Sequence, residues 1–292
     1  MFKGTAYAQK STQEVKQLAV KAPTQFAIVD NQKIAYRKFG KGTPMILATR
    51  FRGSLDLWDP LFLDLLAQHN TVITFDYAGT GYSEGTLPSD IKDVAAEIIQ
   101  LADYLKIDKF NLLGWSYGGL AAEIVTFNNP SRVLKTILIG STPPGKNQIA
   151  ATPAFLETSV KPKLGLEDEV ILFFEPTSKI SKSAAQASHD RIARRLDESK
   201  IPSSQEVFQR YIAGIGSFIE DKANYRSAFA TLKTPVLVIS GDHDISLPLD
   251  NWFPLIGKAP TMQIVVLPDA GHAPHHQNPQ IIVGYITNFL NN

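Results

Sequence analysis

Short apolar runs alternate along this chain with longer segments whose apolar residues recur every three or four positions. Residues 25–29 and 33–39 are rich in Phe, Ile, Val and Tyr and are separated by Asp30-Asn31-Gln32, which predicts a β-hairpin. A third strand is expected at 45–49 after the turn Gly40-Lys41-Gly42-Thr43-Pro44. Buried strands are expected at 71–75, 110–113, 134–139, 235–240 and 262–267. Helical periodicity falls between them. It covers 59–68, with Leu61, Leu65 and Leu66 on one side, and 90–105, where Val94, Ile98, Leu101 and Leu105 share a face and Asp90 can cap the start. A helix runs from about 120 to before Pro130, and an amphipathic helix over 279–290 closes the chain. Residues 1–24 are polar, with Val15, Leu18 and Ala22 at helical spacing, and read as a short helix or loose arm.

From Thr142-Pro143-Pro144-Gly145 to about residue 231 no buried strand is evident. Helical segments are expected near 167–174, 181–198, 204–219 and 222–231, with Pro162, Pro176 and Pro202 as breakers. Alternating strands and helices on both sides of a helical block predict an α/β protein. Residues 25–144 and 232–292 would form a parallel-rich sheet with helices on both faces, and 145–231 a helical insertion. In such sheets ligands collect at the carboxyl ends of the strands.

Composition narrows the choices only a little. A hydrophobic fraction of 44% and a charged fraction of 20% are ordinary for a globular chain, and a net charge of +1 gives no reason to expect nucleic acid or an anionic membrane as partner. The absence of cysteine removes thiol nucleophiles, thiolate metal sites and disulfides. No apolar run approaches the ~20 residues of a membrane span. Residues 1–22 lack the apolar core of a secretory leader, so a cytoplasmic location is the expectation.

The chemistry begins at Gly114-Trp115-Ser116-Tyr117-Gly118, between the strand ending at 113 and the following helix. Strand, sharp Gly-x-Ser-x-Gly turn and helix form the setting of a nucleophile elbow. A serine hydroxyl needs a base, and a carboxylate to hold that base's tautomer. Of six histidines, only His272 stands in a Gly-His pair just after a terminal strand. His275 and His276 lie close to it, but Pro274 interrupts the segment and no Glu completes an H-E-x-x-H arrangement, so no metal is expected. The acid is expected after the strand at 235–240, in Gly241-Asp242-His243-Asp244. Asp244 is better placed to reach the histidine, whereas Asp242 suits a turn. The glycine-rich bend at 76–83 lacks the third glycine of a dinucleotide fingerprint, where Glu84 stands, so no cofactor is expected.

These residues resemble the capped α/β-hydrolase-fold serine hydrolases, of the carboxylesterase-like kind, over roughly 25–290. The order Ser116, Asp244, His272 is that family's order. Asp76, Gly79, Gly81 and Ser83 resemble the bend after its fourth strand, and Gly241-x-x-Asp244 and Gly271-His272 its later landmarks. The resemblance implies an eight-stranded, mostly parallel sheet with the second strand antiparallel, and a helical cap after the sixth strand. Thr49-Arg50-Phe51 stands where the family usually shows His-Gly-x, which implies the backbone N–H groups of Phe51 and Tyr117 as oxyanion donors. Arg50 has two readings: a brace paired with a buried carboxylate such as Asp76, which is the expectation, or a pocket residue favouring an anionic substrate. Trp115 either packs near the elbow or borders the substrate pocket.

The implied activity is hydrolysis of a small-molecule ester. Lactone, carbon–carbon bond and peracid chemistry use the same triad. An aminopeptidase would want an acidic cluster in the cap; Arg191, Arg194 and Arg195 there are expected to form a solvated face. A ligand receptor with slow hydrolysis is the alternative of another class, and an aspartate-nucleophile reaction does not fit Ser116.

Overall fold

The hairpin forms because Asp30 (φ 47°) and Asn31 (φ 63°) both accept the left-handed conformation that a two-residue turn demands. The computed structural model describes residues 17–292. Most of the predicted N-terminal arm therefore lies outside the described residues, and its remainder is a single helical turn, α1 (Leu18–Lys21). The sheet consists of β1 (Gln25–Val29), β2 (Gln32–Gly40), β3 (Thr43–Ala48), β4 (Asn70–Phe75), β5 (Phe110–Trp115), β6 (Val133–Ile139), β7 (Val236–Gly241) and β8 (Met262–Leu267). Its eight strands lie in the order β1-β2-β4-β3-β5-β6-β7-β8. Only β2 runs antiparallel to its neighbours, β1 and β4. Every residue of β5 and β7 is buried, which is why these strands read as apolar runs rather than alternating patterns.

Helices α2 (Pro60–Leu66), α3 (Ile91–Tyr104) and α4 (Tyr117–Asn128) follow β3, β4 and β5. The Asp90 carboxylate caps α3 by accepting from the Lys92 N–H, and Val94, Ile98 and Leu101 face the core. Two hydrophobic clusters form, one on each face of the sheet. One gathers α3, α4 and strand residues such as Ile46 and Phe75; the other gathers α2, the C-terminal helix and strand residues such as Leu47 and Ile137.

Glu97, on the buried face of α3, accepts from the Ala78 N–H and so holds the loop after β4. Burial raises its pKa to about 7, above the ordinary 4.5 of a glutamate. Between pH 4.5 and 7 the folded chain therefore keeps a proton at this site that the unfolded chain has released, so stability falls as pH rises. Glu97→Gln keeps the carbonyl acceptor and removes the titration. Relative to the wild type it should gain up to about 3 kcal/mol on going from pH 4.5 to pH 8, read from urea unfolding at each pH. A pH-independent difference would show that Glu97 is not buried as a neutral acid.

Between β6 and β7 lie five helices: α5 (Pro153–Ser159), α6 (Leu166–Phe173), α7 (Lys179–Ala193), α8 (Gln205–Glu220) and α9 (Tyr225–Ala228). α5 gave little signal in the sequence because it is short and buries only Thr158 and Ser159. α9 is shorter than the expected 222–231 because Asn224 takes the left-handed conformation at its start. Arginines fasten these helices to the sheet domain. Arg52, after β3, donates to the carbonyls of Pro202, Ser159, Lys161 and Pro162. Arg191 clasps the buried Asp59 carboxylate at 2.6 Å, and Arg195 donates to the Ala19 and Val20 carbonyls. The expected solvated arginine face is thus corrected for Arg191 and Arg195, because the Asp59 carboxylate and the α1 carbonyls meet them at the end of α7. The single turn α10 (Pro274–Gln277) and the longer helix α11 (Pro279–Asn291) follow β8.

Candidate active site

Ser116 sits at φ 56° and ψ −119°, a sparsely populated conformation for a residue with a side chain. Close packing imposes it. A methyl on Gly114 would collide with the Gly118 carbonyl, and one on Gly118 with the Ala48 carbonyl, so both positions need a bare backbone. The Ser116 N–H is held by the Ile139 carbonyl at 2.9 Å, which ties the elbow to β6. Neither the Tyr117 N–H at the start of α4 nor the Phe51 N–H in the turn after β3 meets an acceptor among the described residues. Gly118 lies against the Ala48 and Thr49 carbonyls, which brings the α4 N-terminus beside that turn.

His272 reaches the same place from the loop after β8. Its Nδ1 lies 2.8 Å from Asp244 Oδ2, and both side chains are almost wholly buried. The second oxygen of Asp244 accepts from the N–H groups of Ser246 and Leu247, which fixes the carboxylate after β7. With Nδ1–H donated to Asp244, Nε2 is the free acceptor, and it is buried without a partner. Ser116 and His272 line one small cavity, although no hydrogen bond joins the Ser116 hydroxyl to Nε2. Such bonds are often long before substrate arrives. Asp242 points elsewhere and pairs with His243 at 2.6 Å on the surface; this contact raises the His243 pKa.

Arg50 departs from expectation, and Trp115 takes the packing role of its two readings. Arg50 does not brace Asp76, whose oxygens are satisfied by the Leu55 N–H (2.7 Å) and the Tyr82 N–H (2.8 Å). Burial raises the Asp76 pKa to about 7. Arg50 instead lines the cavity with Ser116 and His272. Trp115 does not line it. Its indole N–H donates to the His272 carbonyl at 3.1 Å, and its ring packs on His275 at 4.5 Å and His276 at 4.8 Å. It thereby holds the histidine loop, and its ring also meets Phe173 and the Arg50 guanidinium, two groups that border the cavity. Burial holds the His275 pKa well below the ordinary histidine range and that of His276 down at about 4, so both are neutral packing groups at neutral pH.

The insertion supplies the remaining walls: Phe155 and Ser159 of α5, Leu164, and Leu172 and Phe173 of α6. These residues were not legible as site residues, since helical periodicity says which face is apolar but not what it covers. The free space among the side chains is about 20 Å³, room for a water-sized group.

The family model described as the alpha/beta hydrolase fold matches residues 43–279, and the chain belongs to that family. It is an α/β hydrolase. A candidate carbamate hydrolase named RutD from Pseudomonas savastanoi pv. phaseolicola is 26% identical over 252 residues, covering 85% of this chain and 93% of that protein. An alpha/beta hydrolase fold protein from Chitinophaga pinensis superposes with a TM-score of 0.83 at 26% identity, covering 94% of this chain and 99% of that one. The enol-lactonase from Burkholderia xenovorans LB400 shares the fold, with a TM-score of 0.71 at 21% identity over 92% of this chain and all (100%) of its own.

Proposed function

We propose that the protein hydrolyses carboxylic esters of small or medium acyl groups through an acyl-enzyme on Ser116. The observation that carries this reading is the buried 2.8 Å pair of His272 and Asp244, opening onto the cavity that Ser116 lines. In the first half-reaction the Ser116 hydroxyl attacks the ester carbonyl carbon and its proton passes to His272 Nε2. Asp244 holds the resulting imidazolium in place. The N–H groups of Phe51 and Tyr117 receive the negative charge that develops on the carbonyl oxygen. Collapse expels the alkoxide, which takes the proton from His272. Water then attacks the acyl group, with His272 again the base, and releases the acid and Ser116. Residues 145–231 act as the cap that encloses the acyl group and excludes bulk water.

The discriminating experiment is turnover of p-nitrophenyl acetate and butyrate beside a γ-lactone and an anilide of the same acyl groups. Sustained multiple turnovers of the esters, at least tenfold above the lactone and anilide in kcat/KM, are expected. Faster lactone opening would reassign the reaction. A single stoichiometric burst with a stable adduct would make the protein a receptor.

A further inference from the structure

Buried guanidinium groups are normally matched to carboxylates or ringed by carbonyls. Arg37 follows that rule with Asp56 at 2.6 Å, Arg191 with Asp59 at 2.6 Å, and Arg52 with four carbonyls. Arg50 does not. It is only 7% exposed, and no carboxylate among the described residues lies within ion-pairing distance. One nitrogen, Nη1, donates to the Phe51 carbonyl at 2.7 Å, and Nε is buried without a partner. The guanidinium carbon lies 4.5 Å from the Phe173 ring centre and 5.3 Å from that of Trp115. Two aromatic rings thus fix the side chain and attract its charge, but they leave the hydrogen-bonding edge unmatched. Burial, reinforced by the neighbouring Arg52, lowers its pKa to about 10, so it remains a cation at neutral pH. Glu169 on α6, whose charge acts on Arg50 in the opposite direction, is engaged by His189 at 2.9 Å.

We infer that Arg50 is the receptor for a carboxylate on the substrate, and that the preferred substrates are half-esters of short dicarboxylic acids. A guanidinium offers two parallel N–H donors to a carboxylate, a geometry that no neutral acyl chain uses. Since Arg50 and Ser116 border one cavity, the anionic group and the scissile carbonyl are held together, and the charge pair orients the carbonyl toward the serine. The inference rests on the ester-hydrolase reading for the reaction, but the anion site itself is testable without turnover.

Two measurements separate the two ideas. The first is kcat/KM for the monoethyl esters of succinic, glutaric and adipic acids against ethyl butyrate. At least one half-ester should exceed ethyl butyrate tenfold or more. Arg50→Met, which keeps a side chain between Phe173 and Trp115, should lower the half-ester value at least tenfold more than the ethyl butyrate value, and Arg50→Lys should restore part of the difference. The second is calorimetric binding of glutarate to wild type, Arg50→Met and Arg50→Lys. Glutarate should bind wild type at least tenfold more tightly than the Met variant. If ethyl butyrate is turned over through Ser116 but half-esters are no better and glutarate binds both proteins alike, the carboxylate receptor is wrong and the esterase stands. If no ester is turned over yet glutarate binding depends on Arg50, the anion site stands and the reaction must be reassigned. Glu169→Gln tests the competing internal partner. Glutarate binding unaffected by it supports the receptor, whereas glutarate affinity that appears only in this variant shows that Glu169 occupies Arg50 in solution and overturns it.

Discussion

Ser116→Ala should reduce kcat for p-nitrophenyl butyrate by about 10⁶-fold while leaving the unfolding midpoint unchanged. Loss of a triad nucleophile has an effect of that order, because the base and acid have nothing left to activate. The residual rate would come from the oxyanion donors and from binding alone. Alanine tolerates the φ of 56° at this position no worse than serine does, and the Ser116 backbone bonds to Ile139 and Gly119 survive the substitution. A comparable loss accompanied by unfolding would mean that the elbow, not the hydroxyl, had been tested. A loss below tenfold would remove Ser116 from the chemistry.

Asp244→Asn has the next largest expected effect, about 10⁴-fold in kcat. The Asp244 carboxylate accepts from His272 Nδ1 with one oxygen and from two backbone N–H groups with the other. An asparagine satisfying those backbone donors turns its NH₂ toward His272. That stabilises the tautomer protonated on Nε2, which cannot take a proton from Ser116. Asp242→Asn should cost less than tenfold, since Asp242 pairs with surface His243. Equal effects of the two substitutions would leave the acid unassigned, and a larger effect at Asp242 would reverse it.

That Asp244 rather than Asp242 meets His272 was legible from the chain because both groups sit at strand ends. Asp244 follows β7 by three residues and His272 follows β8 by five, so each loop is short enough for position to follow from sequence. The central strands were legible for a related reason: β5 and β7 are buried on both faces and leave uninterrupted apolar runs. The partly exposed β1 was legible instead through its β-rich composition and the Asp30-Asn31 turn. Arg50 was not legible. Asp76, at the end of the adjacent strand β4, was the expected partner, and only the folded chain shows that the Leu55 and Tyr82 N–H groups already fill that carboxylate. The arginines at the end of α7 failed in the opposite direction. Arg191 and Arg195 looked solvated on a polar helix, yet Asp59 and the α1 carbonyls, more than a hundred residues away in the chain, meet them. Both errors concern charge matched over long sequence separations, which periodicity does not encode. The insertion's contribution to the cavity was hidden likewise, since Phe155 and Phe173 acquire their place from packing against the sheet domain.

The most direct measurement of the acyl transfer mechanism is mass spectrometry of protein quenched in acid during turnover of p-nitrophenyl butyrate. Peptide mapping should find one butyryl group on the peptide containing Ser116. The label should build up when Asp244→Asn slows deacylation and be absent from Ser116→Ala. A butyryl group on another residue, or hydrolysis that proceeds at full rate with Ser116 never labelled, would contradict the account.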